Sequence, residues 1–181
     1  MIYSLVSFGV ESVLVFWFAV PFLAFSEKAL GFQSLGRNLG RAVGAILQSK
    51  LSTRTPRRIL ITLGLTGLSL SSILFSMILG HYTALFVGII FGISVGWLDA
   101  LACSMAMDEA DEYWPATSYA LIMAFQNLGT LGSGILASLA QSIGFKNAFL
   151  LVAAINLIAV AAIFGIPKAQ RKVTEPDIWS V

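Results

Sequence analysis

Residues 35–60, LGRNLGRAVGAILQSKLSTRTPRRIL, decide the fold of this chain. The stretch begins inside an apolar segment that nevertheless contains two arginines, Arg37 and Arg41. It then passes through a short cationic turn, residues 50–58, and enters a second apolar segment. Charges placed in this way are typical of a helical membrane protein, in which each charge inside the bilayer needs a partner.

The composition of the whole chain also indicates a membrane protein. Of its 181 residues, 57% are hydrophobic and 11% are charged, and the mean hydropathy is +0.87. The net charge of +2 is too small to indicate nucleic-acid binding. The single cysteine, Cys103, cannot form an internal disulfide. The sequence therefore predicts an integral membrane protein that has the lipid bilayer as a partner and does not bind nucleic acid.

Six apolar segments are long enough to cross the ~30 Å hydrocarbon core of a bilayer as helices. We call them spans 1 to 6. They cover residues 2–25, 29–51, 58–79, 82–107, 115–143 and 146–166. The N-terminus has neither the positive region nor the cleavage pattern of a signal peptide, so we expect it to form span 1. The predicted fold is all-α, with a six-helix transmembrane domain over residues 1–167 and a polar tail over 168–181.

Lysines and arginines in the loops predict how the spans are oriented. With a cytoplasmic N-terminus, seven basic residues lie inside, namely Lys50, Arg54, Arg57, Arg58, Lys168, Arg171 and Lys172. Only Lys28 and Lys146 then lie outside. The positive-inside rule predicts that both termini are cytoplasmic, and we expect the plasma membrane as the location. The acidic loop, residues 108–112, lies on the same side as the cationic turn, and we expect the two to attract each other.

Glycines recur at four-residue spacing in spans 2 and 4. They are Gly36, Gly40 and Gly44 in span 2 and Gly88, Gly92 and Gly96 in span 4. Helix faces without side chains let two backbones approach closely in lipid. We expect these glycines to serve helix packing. The alternative is that some of these contacts slide as the protein changes conformation.

Several polar and charged residues fall near the middle of the spans. A rise of ~1.5 Å per residue places them in one layer that is tilted toward the cytoplasm. They are Glu11, Arg37, Arg41, Asp99, Gln126 and Asn127. Ionisable residues at this depth pair with one another or face a water-filled cavity. We therefore predict an ion pair between Glu11 and Arg41 and a polar cavity lined by spans 1, 2, 4 and 5.

Each of these residues also has a purely structural interpretation. Asp99 is alternatively close enough to the interface to be solvated. Arg37 and Arg41, one turn apart on nearly the same helix face, alternatively form a static bridge to Glu11. Gln126 and Asn127 alternatively hydrogen-bond neighbouring helices and bind no ligand.

The sequence argues against an enzyme. Residues 92–96, GISVG, match the G-x-S-x-G pattern, but a nucleophilic serine needs a base within hydrogen-bond reach. The only histidine, His81, precedes span 4 and lies ~20 Å from Ser94 along the helix. The sequence contains no H-E-x-x-H motif, no Cys/His cluster and no phosphate-binding loop. We therefore predict no catalytic residue, no cofactor and no metal.

The cationic turn resembles a loop signature of the major facilitator superfamily, which consists of secondary transporters. In each six-helix half of that family, the loop between the second and third helices reads G-x-L-x-D-R-x-G-R-R. Residues 49–58, SKLSTRTPRR, depart from it at Ser49, Thr53 and Pro56. They match it at Leu51, Arg54, Arg57 and Arg58. Residues 124–129, AFQNLG, are similar to the family's penultimate helix, so the chain resembles the C-terminal half of such a protein.

This resemblance implies a fold and a function. In that family, the first, second, fourth and fifth helices of each half line a central cavity between two halves, and the third and sixth face lipid. The resemblance implies a half-sized or truncated secondary transporter that moves a small organic solute by alternating access coupled to protons. A complete cavity then needs a second six-helix half or a homodimer. The alternative is a transport-inactive fragment or regulatory subunit that binds another membrane protein.

The resemblance also implies roles for particular residues. Glu11 and Asp99 are the candidates for proton coupling. The candidates for substrate binding are Arg37, Arg41, Gln126 and Asn127. The gating loop contains Lys50, Arg54, Arg57 and Arg58.

Overall fold

The computed structural model describes residues 27–77, 81–108, 113–128 and 132–165. Within these ranges the chain forms six α-helices. They are α1 (Glu27–Ser52), α2 (Arg57–Ser76), α3 (His81–Asp108), α4 (Pro115–Leu128), α5 (Gly132–Ile143) and α6 (Phe145–Gly165). Span 1 with Glu11, and the tail over 168–181, lie outside the described residues.

The helices α1, α2, α3 and α6 correspond to spans 2, 3, 4 and 6. The largest difference is at the end of span 3, which was expected at residue 79 and is observed at Ser76. Both α4 and α5 fall within span 5, and residues 129–131 between them lie outside the described ranges. Long apolar runs are the sequence signal that is easiest to interpret, which explains why these bounds agree.

Three of the described helices are long and apolar enough to cross a membrane. The candidate membrane spans are Arg57–Ser76, Leu85–Asp108 and Lys146–Phe164. The long helix α1 is not among them, because Arg37, Arg41 and other polar side chains lower its hydropathy. The all-helical fold is therefore found in the described residues, whereas the count of six transmembrane helices stays a prediction.

The order of the contacts shows how the helices run. Gly36, Gly40 and Gly44 face Leu85, Ile89 and Ile93 in the same order, so α1 and α3 are parallel. The helix α2 is antiparallel to α3, because Leu60 contacts Trp97 whereas the later Phe75 contacts the earlier Phe91. It is also antiparallel to α6, because Ser69 contacts Ala153 whereas Phe75 contacts Phe149. Helices that cross a bilayer back and forth alternate in direction in this way.

A compact apolar core lies where α2, α3 and α6 meet. The ring of Phe75 packs edge-on against Phe91 at 5.6 Å between centroids and stacks on Phe149 at 5.5 Å. All three rings are almost completely buried. Gly144 connects α5 to α6 with a φ of 86°, a left-handed conformation that glycine adopts without a steric penalty. This core holds α3 in place as the helix against which α1 packs.

Candidate functional site

The interface between α1 and α3 is built from backbone. Every fourth residue of α1 is buried along one stripe, from Gly36 through Gly40 and Gly44 to Gln48. A Cβ atom added at Gly44 would lie 2.1 Å from the carbonyl oxygen of Ile93. At Gly40, the corresponding distance to the carbonyl oxygen of Ile89 is 2.4 Å. No side chain fits at these two positions, so α1 approaches α3 as closely as two helices can.

The glycines of α3 meet α1 from the other side. A Cβ atom at Gly92 would lie 2.2 Å from the carbonyl oxygen of Arg37, and one at Gly96 would lie 2.0 Å from that of Arg41. Gly88 is also buried in α3. The backbones of the two arginines therefore rest on the glycines of the neighbouring helix. We call this contact the glycine seam, formed by Gly40 and Gly44 of α1 with Gly92 and Gly96 of α3.

An ion pair spans the two helices beside the glycine seam. Arg41 donates a hydrogen bond from Nη2 to Oδ2 of Asp99 over 2.7 Å. Asp99 lies three residues after Gly96, on which the backbone of Arg41 rests, so the seam sets the distance between the two charges. The side chains are 37% and 29% exposed, respectively. The pair is therefore shielded on one side and open on the other.

The structure brings some of the predicted site residues together and leaves others undescribed. Arg41 and Asp99 are in contact, and the partly buried Arg37 precedes Arg41 by one turn of α1. Gln126 and Asn127 belong to α4, but their side chains fall outside the described residues. Glu11 is also outside them, so the pairing of Glu11 with Arg41 stays a prediction.

The cationic turn lies at the end of the bundle where α1 ends and α2 begins. Thr53, at the signature's aspartate position, donates its hydroxyl to the carbonyl oxygen of Lys50 over 3.2 Å. Pro56, at a glycine position of the signature, has a φ of −57°, which suits proline and does not require glycine. Arg54 and Arg58 lie on either side of this proline. The departures at Thr53 and Pro56 are therefore compatible with the local backbone.

The turn is linked to α3 by a second ion pair. Arg57, at the start of α2, donates a hydrogen bond from Nη2 to Oδ2 of Asp108, at the end of α3. The side chains are 47% and 50% exposed, so the pair is largely solvated. The expected attraction between the cationic turn and the acidic loop is confirmed at this contact.

A sequence model of the Major Facilitator Superfamily matches residues 1–178, almost the whole chain. The chain belongs to this superfamily. It is an integral membrane transporter, and the predicted resemblance of the chain to this superfamily is confirmed. Members of this superfamily are transporters and not enzymes, which fits the expectation of a non-enzyme. No curated protein matches the chain.

Two contacts and one buried side chain of this transporter were not foreseen from its sequence. Trp97 donates its indole N–H to the carbonyl oxygen of Leu60 over 2.8 Å and so ties α3 to α2. Ser69 donates its hydroxyl to the carbonyl oxygen of Ala153 over 3.0 Å and ties α2 to α6. The buried Gln48 extends the stripe of Gly36, Gly40 and Gly44 by one turn. Only Gln48 had a sequence signal, its position four residues after Gly44.

Removing the Arg57–Asp108 pair is expected to change the transporter's stability little. Arg57→Gln and Asp108→Asn should each lower the free energy of unfolding by about 0.5 kcal/mol, since solvated ion pairs contribute about 0–1 kcal/mol. The double variant should lose no more than the larger single loss, because both changes break the same contact. Unfolding in detergent at low and high salt measures this, with Arg54→Gln in the same turn as the control. A salt-independent loss above about 2 kcal/mol would mean that the pair is more important for the fold than its exposure indicates.

Proposed function

We propose that this chain is one six-helix half of a secondary transporter, the C-terminal half of the fold, and that it moves a small organic solute by alternating access coupled to protons. It works with a second six-helix half or with a second copy of itself. The observation that carries this proposal is the ion pair between Arg41 and Asp99. It lies beside a close contact of two helices, and one of them, α3, contains a candidate membrane span.

The position of Asp99 supports a role in proton coupling. Asp99 precedes the end of α3 at Asp108 by nine residues, or ~14 Å along the helix. Carboxylates placed this deep in a membrane helix are costly and are typical of proton relays and ion pathways. A proton bound by Asp99 would remove its negative charge and weaken its attraction to Arg41. Proton binding would in this way be coupled to the contact between α1 and α3.

The remaining candidate residues complete the proposal. Glu11 is the second proton-coupling carboxylate, and Arg37, Arg41, Gln126 and Asn127 contact the substrate. The open side of the Arg41–Asp99 pair gives a solute access to two opposite charges. The gating loop is formed by Lys50, Arg54, Arg57 and Arg58. We also propose that both termini are cytoplasmic and that the membrane is the plasma membrane, from the distribution of basic residues.

A second candidate function is a transport-inactive subunit that binds another membrane protein. The observation that favours it is the outer face of α1, where large apolar side chains are exposed. They are Leu35, Leu39, Val43, Ile46 and Leu47. In a membrane such a face meets lipid or an apolar helix of a partner. The same face would contact the second half in an active transporter, so activity must decide between the two functions.

Flux measurements with the purified full chain test the proposal. The protein is reconstituted in liposomes, alone and with any protein that copurifies, around a pH-sensitive dye. We expect at least one solute of a broad panel to drive proton movement, and we expect Asp99→Asn to abolish it. If neither protons nor solutes move with the partner present, the transport proposal is contradicted and the second candidate function is favoured. Labelling of Thr53→Cys by an impermeant thiol reagent, in a Cys103→Ser background, tests the orientation. Labelling from outside intact cells would contradict it.

A further inference from the structure

The interface between α2 and α6 contains a buried amide that lacks hydrogen bonds. Asn156 is 0% exposed, and neither its amide nitrogen nor its amide oxygen has a hydrogen-bond partner in the described part of the chain. Asn156 lies near the middle of the candidate membrane span Lys146–Phe164, ~12–15 Å from either end. Burying an amide in apolar surroundings without hydrogen bonds is strongly unfavourable. The site is therefore incomplete without a further polar group.

A hydroxyl of α2 is hydrogen-bonded to α6 one turn before this amide. Ser69 donates its hydroxyl hydrogen to the carbonyl oxygen of Ala153, which lies one turn before Asn156 on the same face of α6. A hydroxyl that donates its hydrogen still has lone pairs that accept. The interface thus has an acceptor on α2, the hydroxyl oxygen of Ser69, and an amide without hydrogen bonds on α6.

The chemistry of the site restricts its ligand. The charged residues of α2 and α6 are Arg57, Arg58 and Lys146, all of them at helix ends. An ion bound near Asn156 would therefore find no counter-charge on either helix. A ligand must be neutral and small, and must both donate and accept hydrogen bonds. Water meets these requirements, and buried waters commonly satisfy such orphaned polar groups.

We propose that a water molecule is bound between α2 and α6, where it joins the amide of Asn156 to the hydroxyl oxygen of Ser69. A water bridge tolerates small changes in the distance between the groups that it joins. The α2–α6 interface can therefore change its spacing more easily than the direct backbone contact between α1 and α3. The water belongs to the resting structure, and its binding does not depend on the solute that the protein transports.

X-ray radiolysis of the intact protein in lipid nanodiscs tests the proposal, because hydroxyl radicals formed from a bound water oxidise the side chains next to it. Mass spectrometry should find oxidation of Leu68 and Val152, although both are fully buried. The oxidation should fall several-fold in Asn156→Leu, which has a similar size and binds no water. Phe91, equally buried on α3, is the control and should remain unlabelled in both proteins.

Two outcomes would overturn the proposal. Wild-type Leu68 and Val152 labelled no more than Phe91 would mean that Asn156 finds a protein partner by rotating its side chain. Equal labelling in the wild type and Asn156→Leu would place the water elsewhere. Asn156→Ser serves if the leucine variant misfolds, since its hydroxyl keeps a polar group and leaves room for water. Labelling should persist in this variant, and its loss would also contradict the proposal.

Discussion

Alanine at Gly44 or Gly96 is expected to lower the free energy of unfolding by about 1–3 kcal/mol, the usual cost of overpacking a close contact. The added methyl group would lie 2.1 Å from the carbonyl oxygen of Ile93 in the first case and 2.0 Å from that of Arg41 in the second. Both obstacles are backbone atoms of a helix, which cannot rotate away as a side chain can. The two helices must separate instead, and α1 loses most of its contact with α3. Thermal unfolding in detergent measures the loss.

The chain supplies its own controls for this series. A Cβ atom at Gly31 meets nothing within 4 Å, so Gly31→Ala should be neutral or slightly stabilising, because alanine favours a helix more than glycine does. A Cβ atom at Gly36 first meets the side chain of Leu85, at 2.8 Å, which has room to adjust. We expect Gly36→Ala to lie between the two extremes. All four variants replace a glycine of α1 or α3 by alanine. The order of their stabilities therefore isolates the steric effect of the backbone contact.

The expected order also distinguishes a fixed contact from a sliding one. If α1 slides along α3 during the transport cycle, the close contact exists in only part of the population. Alanine at Gly44 would then favour the other state and reduce flux with little loss of stability. A large loss of stability at both Gly44 and Gly96 would show that α1 and α3 move as one body. Equal stability of Gly31→Ala and Gly44→Ala would contradict the tight contact itself.

The sequence predicts depth in the membrane better than it predicts which faces meet. Counting residues along a span gives the depth of Arg41, Asp99 and Glu11, because the rise of a helix is constant. Counting does not give the rotation of one helix against another, which depends on packing. The sequence placed the acids Glu11 and Asp99 in the same layer as Arg41 and favoured Glu11 as its partner, whereas the described structure places Asp99, 58 residues away, against it.

The same limit applies to the glycines and to Asn156. Four-residue spacing marks a face without side chains, but the spacing does not say which helix lies against it. The partner α3 emerges only from the folded arrangement, in which Phe75, Phe91 and Phe149 hold α3 beside α2 and α6. Asn156 lies on span 6, which the resemblance to the family implies faces lipid. Its burial against α2 depends on side-chain packing between two apolar helices, which no periodicity in the sequence specifies.

Exchanging the charges of Arg41 and Asp99 is expected to separate their structural role from their role in transport. Asp99→Asn and Arg41→Gln should each lower the free energy of unfolding by about 1–2 kcal/mol, between the values for exposed and buried pairs, because this pair is partly shielded. The double exchange, Arg41→Asp with Asp99→Arg, restores opposite charges across the same contact. Its stability should return to near the wild-type value, as measured by thermal unfolding.

Transport should respond differently from stability in the same variants. If Asp99 releases and binds the coupled proton, the double exchange moves the carboxylate from α3 to α1 and should remain inactive although it is stable. Asp99→Asn should then lack proton-coupled flux even at a temperature where it is fully folded. Lys146→Gln, which removes an exposed cation at the start of α6 and outside the proposed site, is the control and should retain flux. Restored flux in the double exchange would show that Arg41 and Asp99 act only as a bridge between α1 and α3, and proton coupling would then have to be sought at Glu11.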